Sequence, residues 1–210
     1  MPSARDSIEA RFARLQSLRI GILLYPEVEV LDFAGPFEVF SVAARLAGNP
    51  LPFHISLVGS TRQAVCARHG FAVLPHAGLA DAPQFDLLIV PGGVVDAPLA
   101  DSAMLDWIRR QDAGSALTAS VCTGAFILAA AGLLDGAAVT THWEDIAALR
   151  AAHPALEVRE DVAWVDQGRI VTAAGISAGI GMSLHLVGRI LGPAMARATA
   201  RQMQYDWPSA

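Results

Sequence analysis

The chain has 210 residues, 53 % hydrophobic and 17 % charged, with a formal net charge of −5. That supports one sizeable core and one domain. All 15 basic residues are arginine and they are scattered, so no basic stripe points to nucleic acid as a partner. No apolar run approaches the ~20 residues of a membrane span.

Residues 1–18 mix arginines with acids and lack the apolar segment of a secretory signal. They are set off as an N-terminal extension, frayed or helical, and residues 19–210 as a single domain. A cytoplasmic location is expected. Residues 19–25 (RIGILLY) read as a strand covered on both faces. Residues 32–47 read as loop and helix, with Pro36 near the first turn. Residues 53–59 (FHISLVG) form the next strand, and Gly70 within 65–75 suggests a hairpin. Residues 86–90 (DLLIV) form a strand that ends in Pro91-Gly92-Gly93. A helix is expected over 100–113, a strand over 116–121, and a helix over 123–131 ended by Gly132. Residues 137–141 suggest a short strand, and 143–152 a helix. Asp166-Gln167-Gly168 joins two further strands, 161–165 and 169–173. Helices are expected over 177–191 and from 193 to about 205.

Alternation of this kind predicts a mostly parallel sheet with helices on both faces. Ligands of such sheets sit outside the carboxyl ends of the strands. That places the loop after Tyr25, the Gly92-Gly93 turn and Cys122 on one rim.

The stretch LTASVCTGAFILAAAG puts Cys122 at a sharp strand-to-helix turn. The helix start there favours thiolate over thiol, which makes Cys122 the candidate nucleophile. Cys66 lies in the hairpin region and reads as structural or incidental. Two cysteines do not make a disulfide framework. The six histidines are dispersed, and no Cys, His and acidic cluster has metal-ligand spacing.

Asp32 sits among Val30, Leu31 and Phe33. It reads equally as a helix N-cap and as an acid/base group raised by desolvation and a neighbouring thiolate. Glu27, Glu29 and Glu38 are alternatives, with 27 and 29 reading as solvent-facing. Gly92 and Gly93 suit a tight turn, an anion-stabilising pair of amides, or both. His142 reads as structural or as a support behind the site, and Ser120 and Ser177 as caps or turn residues.

Six pieces share an order and spacing: Leu31-Asp32-Phe33-Ala34-Gly35-Pro36, Val90-Pro91-Gly92-Gly93, Ser120-Val121-Cys122-Thr123-Gly124, Ala131-Gly132-Leu133-Leu134-Asp135-Gly136, Thr140-Thr141-His142-Trp143 and Ala174-Gly175-Ile176-Ser177-Ala178-Gly179-Ile180. Together they resemble the DJ-1/PfpI (ThiJ) superfamily, and within it the isocyanide hydratases, over residues 19–207. The resemblance implies a flavodoxin-like three-layer sandwich, a nucleophile elbow at Cys122 and a homodimer. It further implies a lyase that hydrates a small apolar isocyanide to a formamide through a cysteine thioimidate, without cofactor or metal. Asp32 fits the position where the hydratases carry aspartate and many DJ-1 relatives glutamate.

In that scheme Thr123, Gly92 and Gly93 orient the intermediate. Ile176 and Trp143 are either pocket walls or ordinary core. Thr123 stands where PfpI-type peptidases carry histidine, which argues against peptidase action. A glyoxalase or deglycase, and a stand-alone relative of the sensor domains of AraC-type regulators, are the alternatives. No helix-turn-helix unit is expected before Ala210. Gly181 replaces the aspartate of many relatives, and Ala174 the glycine common in the hydratases, in a loop near the cysteine.

Overall fold

The computed structural model describes residues 6–207. The first five residues of the expected extension and the last three of the domain lie outside it. The extension contains helix α1 (Ile8–Leu15), capped by Ser7, whose side chain accepts from the Ala10 N–H at 3.2 Å. Its Ile8 is buried in the core, and Arg11 donates to Asp86 and to the Gly114 carbonyl. This helix is therefore packed onto the domain.

β1 (Leu18–Leu23) is followed by α2 (Val30–Ala47), β2 (Phe53–Gly59), β3 (Val65–Ala67), β4 (Phe71–Val73) and β5 (Ala77–Gly78). Then come β6 (Leu87–Val90), α3 (Asp96–Ala100), α4 (Ser102–Gly114), β7 (Leu117–Val121) and α5 (Gly124–Ala130). β8 (Ala138–Val139), α6 (Ile146–Ala152), β9 (Glu157–Val158), β10 (Trp164–Asp166), β11 (Ile170–Ala173), α7 (Ala178–Leu191) and α8 (Pro193–Gln202) complete the chain.

The main sheet has seven strands in the order β10-β11-β7-β6-β1-β2-β5. All neighbours are parallel except β10 and β11, the predicted hairpin. β6 and β7 are buried at every position, as strands covered on both faces must be. Helices α1, α2, α7 and α8 form one packed group, and α3, α4 and α5 another. The sheet is thus mixed, mostly parallel, with helices around it.

Three local differences from the sequence reading have physical causes. Asp101 breaks the expected helix over 100–113: its extended backbone ends α3, and its side chain caps α4 by accepting from the Met104 N–H at 3.0 Å. The expected strand over 137–141 shortens to β8, which pairs with β9 apart from the main sheet. Past it, Thr140 and Thr141 turn to side-chain bonds: Thr140 N–H donates to Thr172 Oγ1, and Thr141 Oγ1 to the Cys122 carbonyl. α2 begins two residues earlier than expected, so Pro36 lies in its second turn.

β1 is flanked by β2 on one side and β6 on the other. The chain order reverses between β1 and β6, which opens a crevice at their carboxyl ends. Among the described residues no helix is long and apolar enough to cross a membrane.

Candidate active site

Cys122 lies between the last residue of β7 and the first of α5, with its backbone in the left-handed region at φ 57°. That conformation is costly for a residue with a side chain. It is held by the Cys122 N–H, which faces the Ala173 and Ala174 carbonyls at 3.1 and 3.2 Å, and by the Thr141 hydroxyl, which donates to the Cys122 carbonyl at 2.9 Å. The backbone at Cys122 is thus tied to β11 and to the segment after β8.

Asp32 does not cap α2. The N-cap is Glu29, and Asp32 sits inside the first turn with its side chain completely buried. Its Oδ2 accepts the Gly92 N–H at 3.0 Å, while Oδ1 has no hydrogen bond of ordinary geometry. Burial pushes the carboxyl up to about 7, and the nearby Glu29 charge adds to this; the Gly92 amide and the Cys122 thiol pull it down. The carboxyl and the thiol therefore act on one another directly.

The expectation of a thiolate at rest is not met. Burial pushes the Cys122 thiol up to about 12, and the Asp32 charge adds to the rise. The Thr123 and Ile176 backbone N–H groups pull the other way but do not prevail. α5 has only seven residues, so its dipole is small against a buried sulfur facing a carboxylate.

Gly92 and Gly93 are not free anion donors. Gly92 gives its N–H to Asp32, and Gly93 gives its N–H to Thr123 Oγ1 at 2.9 Å. The Thr123 hydroxyl returns the bond to the Gly93 carbonyl at 3.0 Å, so it too is engaged. Gly92 has a packing requirement: a Cβ there would stand 2.6 Å from Thr123 N and Oγ1 and 2.9 Å from Cys122 Cβ. Tyr25, just after β1, donates from its buried hydroxyl to the Pro91 carbonyl at 2.9 Å and so braces the same turn.

Cys122 opens onto a cleft of about 440 Å³. Gly93, Thr123 and Ile176 line it, and Ile176 is 38 % exposed with φ 48°. Trp143 does not: it is 74 % exposed and lines an adjacent hollow with Thr140, Thr141 and Ala174. His142 does line the cleft, with Nδ1 3.4 Å from Asp145 and 3.9 Å from Glu144.

The remaining lining residues are Glu29, Arg68, His69, Glu144 and Asp145. The crevice is therefore largely polar. Glu29 was weighed only as an alternative to Asp32, and Arg68, His69, Glu144 and Asp145 carry no cue of their own, because their convergence depends on how the β3–β4 hairpin, the loop after β1 and the turn before α6 meet. The Arg68-His69-Gly70 turn beside Cys66 was the available signal. Both cysteines are free, and Cys66 is exposed on β3. Among the described residues no group of three or more His, Cys, Asp or Glu is placed to hold a metal ion.

The chain is 37 % identical to isonitrile hydratase of Pseudomonas putida over 192 residues, covering 90 % of this chain and 79 % of that protein. It is 33 % identical to the HTH-type transcriptional regulator GbdR of Pseudomonas aeruginosa over 89 % of this chain, but spans only 50 % of the regulator's length. A ThiJ/PfpI family protein from Pseudomonas syringae superposes with a TM-score of 0.81 at 27 % identity, covering 100 % of this chain and 84 % of that one. Drosophila melanogaster DJ-1beta shares the fold with a TM-score of 0.79 at 21 % identity, over 91 % of this chain and 100 % of that one. Residues 18–189 match the DJ-1/PfpI family, and the chain belongs to it.

Proposed function

We propose that this protein hydrates a small isocyanide to an N-substituted formamide, with Cys122 as nucleophile at a nucleophile elbow and Asp32 as the proton carrier. The observation that carries this reading is the pairing of a completely buried carboxyl, raised to about 7, with the thiol that opens onto the cleft. Its likeness to an isonitrile hydratase supports the substrate class.

In the resting pair the carboxyl is the more acidic group, so above about pH 7 Asp32 is ionised while Cys122 keeps its proton. As the sulfur attacks the terminal carbon of R–N≡C, the thiol proton passes to Asp32 Oδ1. Asp32 then protonates the same carbon, giving the thioimidate R–N=CH–S. Water adds to that carbon while Asp32 takes one of its protons and delivers it to nitrogen. The C–S bond breaks as the hydroxyl proton returns through Asp32 to sulfur, and R–NH–CHO leaves. One group serves as base and acid in turn because its pKa lies near working pH.

The raised thiol is part of this scheme. Sulfur becomes nucleophilic only as Asp32 accepts its proton, so attack and proton transfer are coupled. The Thr123 and Ile176 amides favour charge on sulfur during that step. A homodimer, expected from the resemblance, and a cytoplasmic location, expected from the sequence, belong to the same reading.

The test is formamide production from a panel of alkyl and aryl isocyanides, read by mass spectrometry. Wild-type protein is expected to form formamide, and Cys122→Ala to form none while keeping its fold. Activity in Cys122→Ser equal to wild type would remove the nucleophile assignment, since a serine hydroxyl is much the weaker nucleophile. Likeness to regulators such as GbdR over most of the chain favours a second reading, a ligand sensor without turnover. A panel with no turnover but with saturable binding in the cleft would select it.

A further inference from the structure

The cleft at Cys122 carries little hydrocarbon. Among the described residues Ile176 is the one aliphatic side chain that lines it, while Glu29, Arg68, His69, His142, Glu144 and Asp145 bring charge or titratable rings. A site built for a purely hydrocarbon substituent is lined predominantly by apolar and aromatic groups. The part of the substrate that does not react therefore has polar partners waiting for it.

Glu144 and Asp145 lie 3.9 and 3.4 Å from His142 Nδ1. Arg68, the one arginine of the lining, comes nearest to Glu29 through Nε, at 3.6 Å, beyond hydrogen-bond distance. Its Nη1 and Nη2 make no hydrogen bond to any described residue, and neither does the neighbouring His69 ring. The end-on edge of the guanidinium, the edge that grips a carboxylate with two parallel bonds, is thus unclaimed.

The backbone that carries Arg68 is fixed. The Arg68 N–H donates to the Val28 carbonyl at 3.1 Å, the Glu27 N–H to the Cys66 carbonyl at 2.9 Å, and the Glu29 N–H to the Gly92 carbonyl at 2.9 Å. The hairpin that carries Arg68 is bonded to the loop after β1, and that loop in turn to the same Gly92 that binds Asp32.

We propose that the substrate carries a carboxylate on the end remote from the reacting carbon, and that Arg68 selects it. This rests on the hydration reading: the isocyanide carbon meets Cys122 while the carboxylate meets Arg68. A cleft of about 440 Å³ suits a short isocyano acid.

The experiment compares kcat/KM for isocyanoacetate, its neutral methyl ester and an amine-bearing isocyanide of similar length, in wild type, Arg68→Gln and Arg68→Lys. Wild type is expected to favour the acid over the ester by about tenfold, mainly through KM, with the preference shrinking as salt rises. In Arg68→Gln that ratio is expected to fall to about one, with Arg68→Lys between. Turnover of all three with no preference for the acid overturns the proposal and leaves the hydration reading intact. Preference for the amine, lost in Glu144→Gln or Asp145→Asn, also overturns it. If no isocyanide is hydrated, the hydration reading fails, and binding decides the rest: calorimetric titration of Cys122→Ala with N-formylglycine and its methyl ester. Tighter binding of the acid, lost on adding Arg68→Gln, upholds anion selection by Arg68; equal binding overturns it.

Discussion

The backbone N–H of Gly92 donates to Oδ2 of Asp32 at 3.0 Å, linking the turn after β6 to the first turn of α2. This bond fixes one carboxyl oxygen and leaves the other for chemistry with the thiol. It also explains why the carboxyl rises only to about 7 despite complete burial, because a donated hydrogen bond favours the charged form.

Replacing Asp32 by Asn keeps the shape and removes the proton carrier. The expected loss in kcat/KM is roughly 10²–10⁴-fold, the usual worth of a positioned acid/base group. The pH profile is more specific. Asp32 must be ionised to accept the thiol proton, so wild-type kcat/KM is expected to rise through about pH 7 and then level off, because Cys122 itself ionises only near 12. That acid limb should vanish in Asp32→Asn. Thiolate titration by ultraviolet absorbance gives a second readout. Removing the carboxylate charge should lower the Cys122 pKa even as turnover falls.

Gly92→Ala tests the close packing behind the sulfur. The new methyl would lie 2.6 Å from the Thr123 backbone nitrogen and 2.9 Å from Cys122 Cβ, so backbone has to move. Overpacking of this kind costs about 1–3 kcal/mol. A urea midpoint below wild type, together with a drop in kcat, is the expected result.

Much of this was legible because it is local. The apolar runs of β2, β6 and β7, the Gly70 and Gly168 turns and the cysteine between strand and helix all announce themselves in short windows. The protonation of the cysteine was not legible in that way. A helix start beside a thiol suggests a thiolate, but the outcome depends on burial and on Asp32, ninety residues away in sequence. The roles of Gly92 and Gly93 were hidden for a similar reason: a Gly-Gly turn shows two amides but not the Asp32 and Thr123 oxygens that already occupy them. Trp143 drew attention by its motif, yet the chain turns it into the neighbouring hollow.

Thr123→Val is expected to act through Gly93. The hydroxyl accepts from the Gly93 N–H and donates to the Gly93 carbonyl, at 2.9 and 3.0 Å. Losing it strands both groups in a partly buried turn, at about 1 kcal/mol or somewhat more. Turnover should fall as the turn loosens beneath the cleft. Thr123→Ser restores both bonds and should recover stability and rate, which separates this effect from a direct role of the threonine methyl.

The last prediction concerns stability against pH. Asp32 has an ordinary value of 3.8 and a folded value of about 7, so between these the native state holds more of its proton than the unfolded chain does. Stability from this group is complete below about 4 and is lost as pH rises through 7, on the order of a few kcal/mol. Glu9 and Asp166 act in the opposite sense, since their folded values are lowered and their contribution is lost as pH falls. The wild-type curve alone therefore mixes the two. Subtracting the Asp32→Asn curve, from urea unfolding at a series of pH values, isolates the Asp32 contribution: the variant should gain on wild type steadily from pH 4 to pH 7 and hold that gain above. A difference that stays flat across this range would mean that the carboxyl is ionised in the fold at ordinary cost, and the shared-proton mechanism would lose its basis.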